Sequence, residues 1–266
     1  MPSIYAANDA AVYEKSMGRW SRRLAMPFIK FSEISEDLQG ALDVGCGTGS
    51  LAFALGEVSP RARITGLDYS QAFVDYARAR AGSDRFSFDQ GDAVSLSYDA
   101  ASFDATMSML VLSFLNEPER VVREMVRVTR PEGVVAAAVW DFFGGHTFSR
   151  ILLDTEAPLD PDAAALRAKH CSLLTRPGEL AVMWKLVGLR DVEQSEITIR
   201  MDFGSFSDLW EPWLGGQGTL GAYLVGLDDE KRRLIEHHTR QAYLVGGPDG
   251  PRSIAATTWV VRGIHP

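Results

Sequence analysis

Residues 41–55, ALDVGCGTGSLAFAL, constrain this chain more than any other stretch. Residues 41–44 are short and mostly apolar, with Asp43 the one carboxylate, and read as a buried strand. Gly45, Gly47 and Gly49 follow at every second position, and residues 51–55 resume as the first turns of a helix. A strand, a glycine loop and a helix start bring backbone N–H groups and a helix N-terminus up to a ligand, because glycine has no Cβ to bar the turn or the approach. A dinucleotide loop of the G-x-G-x-x-G kind would need its third glycine at position 50, which is Ser50. The pattern here is D-x-G-x-G-x-G, a cradle for a nucleotide-type cofactor.

A second element strengthens that reading. Residues 63–67 read as a second strand that finishes in Asp68, about 20 residues past the glycines, where a carboxylate suits a bidentate hydrogen bond to ribose hydroxyls. Tyr69 is placed to cover an adenine, and Ser70 caps a helix over 71–80. A third strand, 86–90, leads into Gly91-Asp92-Ala93, and a fourth, 105–109, carries Ser108 and Met109 at its end. A helix over 117–128 and a strand over 134–140 continue the alternation, which implies a parallel sheet with right-handed crossovers. Gly45, Asp68, Asp92 and Ser108 then all fall near strand carboxyl ends, where such sheets bind ligands.

The glycine loop and its followers resemble the S-adenosylmethionine (SAM) site of class I methyltransferases, and YEKSMGRWSR at 13–22 resembles the N-terminal segment of the ubiquinone- and menaquinone-biosynthesis type. The resemblance runs from Tyr13 to Asp141. It implies a Rossmann-like, doubly wound, seven-stranded α/β sheet with an antiparallel last strand and a helical cap. It also implies SAM as cofactor, S-adenosylhomocysteine as product, and a methyl acceptor that is a small molecule. Carried over residue by residue, it assigns Asp43, Gly45, Cys46, Gly47 and Gly49 to the cofactor loop, with Asp43 serving the amino-acid end. Asp92 and Ala93 fall to the adenine, Ser108 and Met109 to the methionine part, and Tyr13 and Trp20 to a lid. Relatives with His-His at the place of Ser113-Phe114 have an imidazole that this chain lacks, and Glu132 stands where the R-P-G-G turn has glycine.

The 266 residues are read as one methyltransferase domain, with lid helices in 1–34, a cofactor core in 35–141, and cap insertions and closing strands in 142–266. Helix 179–187, an edge strand at 192–200 and a closing strand at 254–262 frame a helical insertion over 203–252. A net charge of −8 opposes a nucleic-acid groove, and the cluster Arg19, Arg22, Arg23 reads as a solvated helix face. The two cysteines, Cys46 and Cys171, read as free thiols in a reducing compartment, and Cys46 as a small side chain packed under the loop. Residues 1–16 lack the basic and apolar blocks of a signal peptide, no apolar run is long enough to span a bilayer, and a cytoplasmic protein is expected.

No catalytic residue is assigned. His146 and His170 are the candidate bases, read as structural, and Trp140, Phe142, Phe143, Trp210 and Trp213 read as core aromatics sooner than as pocket walls. No metal site is expected, since the adjacent His237 and His238 point about 100° apart on a helix. Two other readings stay open: a SAM-binding protein without methylation activity, and an NAD-dependent oxidoreductase, supported by Asp68 and opposed by Ser50.

Overall fold

The computed structural model describes residues 9–266; the first eight residues of the expected N-terminal segment lie outside it. Two helical pieces, α1 (Ala10–Tyr13) and α2 (Arg19–Phe31), precede the first strand. They are joined by a wider π-type turn, Glu14–Gly18. Asp9 starts α1 by accepting from the N–H groups of Ala11 and Val12. The expected apolar stripe holds through the turn: Trp20, Leu24 and Phe28 are buried, and Met17 is half-buried.

A βα alternation follows: β1 (Gly40–Val44), α3 (Ser50–Val58), β2 (Arg63–Asp68), α4 (Gln71–Arg80), β3 (Phe86–Gln90), β4 (Phe103–Met109), α5 (Pro118–Val128) and β5 (Thr129–Trp140). The second half contributes α6 (Thr147–Glu156), α7 (Pro161–His170), α8 (Glu179–Leu186), β6 (Arg190–Phe203), α9 (Phe206–Leu214), α10 (Gly218–Val225), α11 (Asp229–Leu244) and β7 (Arg252–Ile264). Among the described residues, seven strands lie in the order β3-β2-β1-β4-β5-β7-β6. Only β7 runs antiparallel to its neighbours, pairing with β5 and with β6. The chain thus starts in the sheet's middle, winds out one way to β3, and returns to wind the other way from β4. Adjacent β1 and β4 are the switch point, where loops leave the sheet in opposite directions and open a crevice.

Both faces of the sheet are covered, so strand residues alternate between two cores. Ala41, Ile64, Met107 and Ala136 pack with α2, α3 and α4 on one face. Leu42, Val44, Leu67 and Val135 pack with α5 and α8 on the other. There the fully buried Trp184 of α8 donates its indole N–H to the Val135 carbonyl at 2.9 Å. The R-P-E-G segment, expected as a turn before a strand, lies within β5 as a bulge. The register jumps from Phe103↔Thr129 to Ala105↔Val134, and Glu132 sits in the left-handed region at φ 66°. A glycine would hold that conformation with less strain.

Helices α6, α7, α9, α10 and α11 form the expected cap over the carboxyl ends of the strands. Asp160, Ser205 and Asp228 cap the starts of α7, α9 and α11 with side-chain oxygens. The arginine cluster is not a free solvated face. Arg19 pairs with Asp208 at 2.9 Å, Arg23 with Asp202 at 2.6 Å, and Arg22 with Glu14. Two of these pairs tie α2 to β6 and α9, which places the N-terminal segment against the cap.

Candidate cofactor and acceptor site

The glycine loop is held from behind by the sheet. Gly45 and Cys46 both donate to the Leu67 carbonyl, at 2.7 and 3.0 Å, and Gly49 donates to the Cys46 carbonyl at 2.9 Å. All three glycines have positive φ, at 76°, 54° and 89°. At Gly45 the demand is also steric, since a Cβ there would lie 2.4 Å from the Val111 side chain. Gly49 is the N-cap of α3 and offers no side chain to do the capping. Asp43 supplies it instead: its Oδ2 accepts from the Ala52 N–H at 3.1 Å, satisfying one of the helix's orphan donors from the neighbouring strand. Burial, with the Asp68 charge adding to it, pushes the Asp43 carboxyl up to about 8.

Asp68 stands at the end of β2 beside the loop. Its Oδ2 accepts from the Gly47 N–H and its Oδ1 from the Ser70 N–H, each at 2.8 Å. Burial raises its pKa, opposed by the backbone N–H groups of Ser70, Gly47 and Tyr69. A carboxylate oxygen can accept two hydrogen bonds, so this group keeps capacity for a ligand's hydroxyls.

These groups border one cavity, with an empty volume of about 1390 Å³ that includes its open mouth. Of the residues expected at the cofactor, Tyr13, Gly45, Gly47, Asp68, Tyr69, Asp92, Ala93 and Met109 line it. The remaining five stand behind the wall. Trp20 is buried between Phe203 and the guanidinium groups of Arg19 and Arg23, so it holds the lid helix to the cap instead of facing a ligand. Ser108 is fully buried and donates to the Val44 carbonyl at 2.9 Å. Asp43 is 1% exposed and engaged as a cap. Gly49 backs onto Phe53. Cys46 packs under the loop, where burial pushes its thiol pKa well up, which makes it a poor nucleophile.

The lid segment closes one side. Tyr13 lies over Gly47, packs on Phe73 with ring centroids 5.0 Å apart, and bonds the Ser21 hydroxyl at 3.1 Å. Burial pushes its phenol up to about 12. Glu14 accepts from both Thr48 of the loop and Arg22 of α2, which latches the segment onto the glycine loop.

The cavity continues past the loop into a space that sequence reading left unassigned. Trp140, Phe142, Phe148 and Trp213 line it, with Met17, Leu110, Phe114 and Leu220. Phe143 and Trp210 do not. His146 and His170, expected to be structural, both reach the cavity wall. Helical or strand periodicity could not reveal this, because the two histidines come from segments 24 residues apart that meet only when α6 and α7 fold over β5. Among the described residues lining the cavity there is no Lys or Arg, and Asp68 and Asp92 are its only carboxylates. No group of three or more His, Cys, Asp or Glu suited to a metal occurs among the described residues, and no helix there is long and apolar enough to cross a membrane.

The residues present fit SAM. A loop whose alternate glycines remove side chains from the cavity edge, a carboxylate held by two N–H groups, and a long apolar continuation offer places for amino acid, ribose and methyl acceptor in turn. Comparison with known proteins agrees. Residues 42–137 match the family model of a methyltransferase domain. The demethylmenaquinone methyltransferase of Deinococcus radiodurans is 38% identical over 165 residues, 56% of this chain and 67% of that one. The 27-O-demethylrifamycin SV methyltransferase of Amycolatopsis mediterranei is 30% identical over 248 residues, 79% of this chain and 85% of that one. In fold, the chain superposes on a Haemonchus contortus phosphoethanolamine N-methyltransferase 2 complex with S-adenosylhomocysteine, at a TM-score of 0.60 and 16% identity, covering 97% of this chain and 57% of that one. The chain belongs to the class I SAM-dependent methyltransferases, similar to the ubiquinone- and menaquinone-biosynthesis type, and transfers the methyl group of SAM to a small-molecule acceptor.

Proposed function

We propose that this enzyme methylates a neutral, largely apolar acceptor bound between the glycine loop and the helical cap. The observation that carries this is the lining of the far half of the cavity, aromatic and aliphatic with a few uncharged polar groups and no cation. An acceptor with a carboxylate or phosphate would lose its hydration there and gain no cationic partner, a cost of several kcal/mol. The two relatives are named for demethylmenaquinone and 27-O-demethylrifamycin SV, and a quinone-like or other natural-product acceptor suits the same lining.

The cofactor contacts follow from the wall. Gly45 and Gly47 border the amino-acid end, Asp68 takes the ribose hydroxyls, Asp92 and Ala93 with Tyr69 flank the adenine, and Met109 and Tyr13 bound the methionine part. Asp43, Cys46, Gly49 and Ser108 act on the cofactor only through the loop they support. SAM brings its own leaving group, so this chain's residues position the acceptor in line and keep water out. The lid, core and cap work as one domain, since the cavity draws its lining from all three. Free thiols at Cys46 and Cys171 and the charge of −8 favour a cytoplasmic enzyme with no polyanionic partner.

Methyl-labelled SAM offered with paired aryl acceptors, each as the neutral compound and as its carboxylated or phosphorylated form, tests the reading. Transfer to the neutral members is expected. Preference for the anionic members would overturn it.

A further inference from the structure

We propose that His146 is the proton acceptor of the reaction and that the acceptor atom is a hydroxyl oxygen, so that the enzyme makes a methyl ether. This rests on the proposed neutral acceptor and adds a group that touches it. His146 precedes α6 in a turn held by Asp141, whose carbonyl accepts from the His146 N–H at 2.8 Å and whose carboxylate accepts from Phe143 and Gly144. The imidazole is 3% exposed, lines the cavity, and sits among Trp140, Phe142 and Phe148 with centroids 4.5, 5.1 and 5.6 Å away.

Its two nitrogens differ. Nδ1 lies 2.7 Å from the Ser149 hydroxyl, and that hydroxyl donates to the His146 carbonyl at 3.2 Å. A hydroxyl has one proton to give; in the proposed tautomer that proton goes to the carbonyl and the oxygen accepts from Nδ1–H. The tautomer leaves Nε2 as a lone pair, and Nε2 is buried with no hydrogen-bond partner among the described residues. An unpaired buried acceptor in an apolar pocket calls for a donor, and an acceptor's O–H supplies one. His170 makes the contrast. Its Nδ1 faces the Leu166 carbonyl at 3.0 Å and so must carry the proton, and its Nε2 is taken by Thr219 at 2.5 Å.

As the hydroxyl oxygen's lone pair forms the new O–CH3 bond, the S–CH3 electron pair stays on sulfur and the O–H proton passes to Nε2. Charge balances within the site. One positive charge leaves sulfur as one appears on the imidazole, so the burial that pushes His146 down to about 3 in the free protein is offset during the step. The His170 ring is the titratable group that acts on His146, and burial lowers its own pKa. After product leaves, the proton returns to solvent.

The experiment uses the full chain with 15N-labelled histidine. Long-range 15N–1H correlation is expected to show His146 as the Nδ1–H tautomer from pH 8 to pH 5, whereas an Nε2–H tautomer would overturn the proposal. Saturation with S-adenosylhomocysteine and 2-naphthol should move the Nε2 resonance, and an unmoved resonance with naphthol bound also counts against it. With 2-naphthol as probe acceptor, His146→Gln should lower kcat at least tenfold while affinity for S-adenosylhomocysteine stays within twofold. Equal turnover by the variant would overturn the base role. If His146→Gln fails to fold, Ser149→Ala replaces it, with the expected result a mixed tautomer and a smaller loss. Failure of the wild type to bind 2-naphthol in the presence of S-adenosylhomocysteine would fault the neutral-acceptor reading instead, so the two failures are distinguishable.

Discussion

Replacement of Asp68 tests the cofactor end most directly. In the structure its carboxylate is oriented by the Gly47 and Ser70 N–H groups, each at 2.8 Å, and it faces the cavity from the end of β2. Two charge-assisted hydrogen bonds to ribose hydroxyls would contribute about 1.5–3 kcal/mol each, together roughly 3–6 kcal/mol. At about 1.4 kcal/mol per decade, Asp68→Ala should weaken S-adenosylhomocysteine binding by roughly 10²- to 10⁴-fold in calorimetric titration. Part of that loss would come from the loop, since the substitution also frees the Gly47 N–H. A double-mutant cycle separates the two parts. The 2′-deoxy analogue of S-adenosylhomocysteine, titrated into wild type and Asp68→Ala, should give a coupling of about 1.5–3 kcal/mol between carboxylate and hydroxyl. Asp68→Asn, which keeps one oxygen and loses the charge, should fall between. A drop of less than fivefold for Asp68→Ala, or a coupling near zero, would refute the ribose assignment.

Two further outcomes follow from the loop. Asp43, raised to about 8 from an ordinary value near 3.8, binds a proton in the fold that the unfolded chain has released between those pH values. Stability therefore falls as pH rises through that window, by at most about 1.4 kcal/mol per pH unit from this group. Urea midpoints at pH 5 and pH 7.5 should converge in Asp43→Asn relative to wild type, and an unchanged slope would show that Asp43 stays ionised. Gly45→Ala places a Cβ at φ 76° and 2.4 Å from Val111. The left-handed penalty of about 1–2 kcal/mol and overpacking of about 1–3 kcal/mol should lower Tm by roughly 5–15 °C. Adding Val111→Ala should restore only the packing share.

The cofactor half was legible because it is local. The tight turn of 45–49, the carboxylate about 20 residues on, and the acidic residue after β3 each belong to one strand-to-loop transition, where short-range geometry dictates residue type. The alternation of strands and helices also implied the sheet and its switch point. Chain position alone could not say which of these residues face a ligand. Asp43, Ser108 and Trp20 look alike in sequence to contacts, yet each is turned away by a demand from elsewhere: an uncapped helix, a carbonyl of β1, and arginines anchored on β6 and α9.

What the sequence by itself determined is thus the order of βα units and the cofactor cradle, since those follow from backbone geometry that neighbouring residues impose on one another, and, through the family resemblance of those motifs, the class of reaction. Only the tertiary structure decided the apolar half of the cavity. Its walls come from the lid turn, β5, α6, α7 and α10, which no periodicity relates and which meet because the cap buries its apolar faces over the switch point. The same folding gave the two histidines different fates. His170 finds both its partners, Leu166 and Thr219, whereas His146 spends one nitrogen on Ser149 and keeps the other unpaired in an apolar pocket.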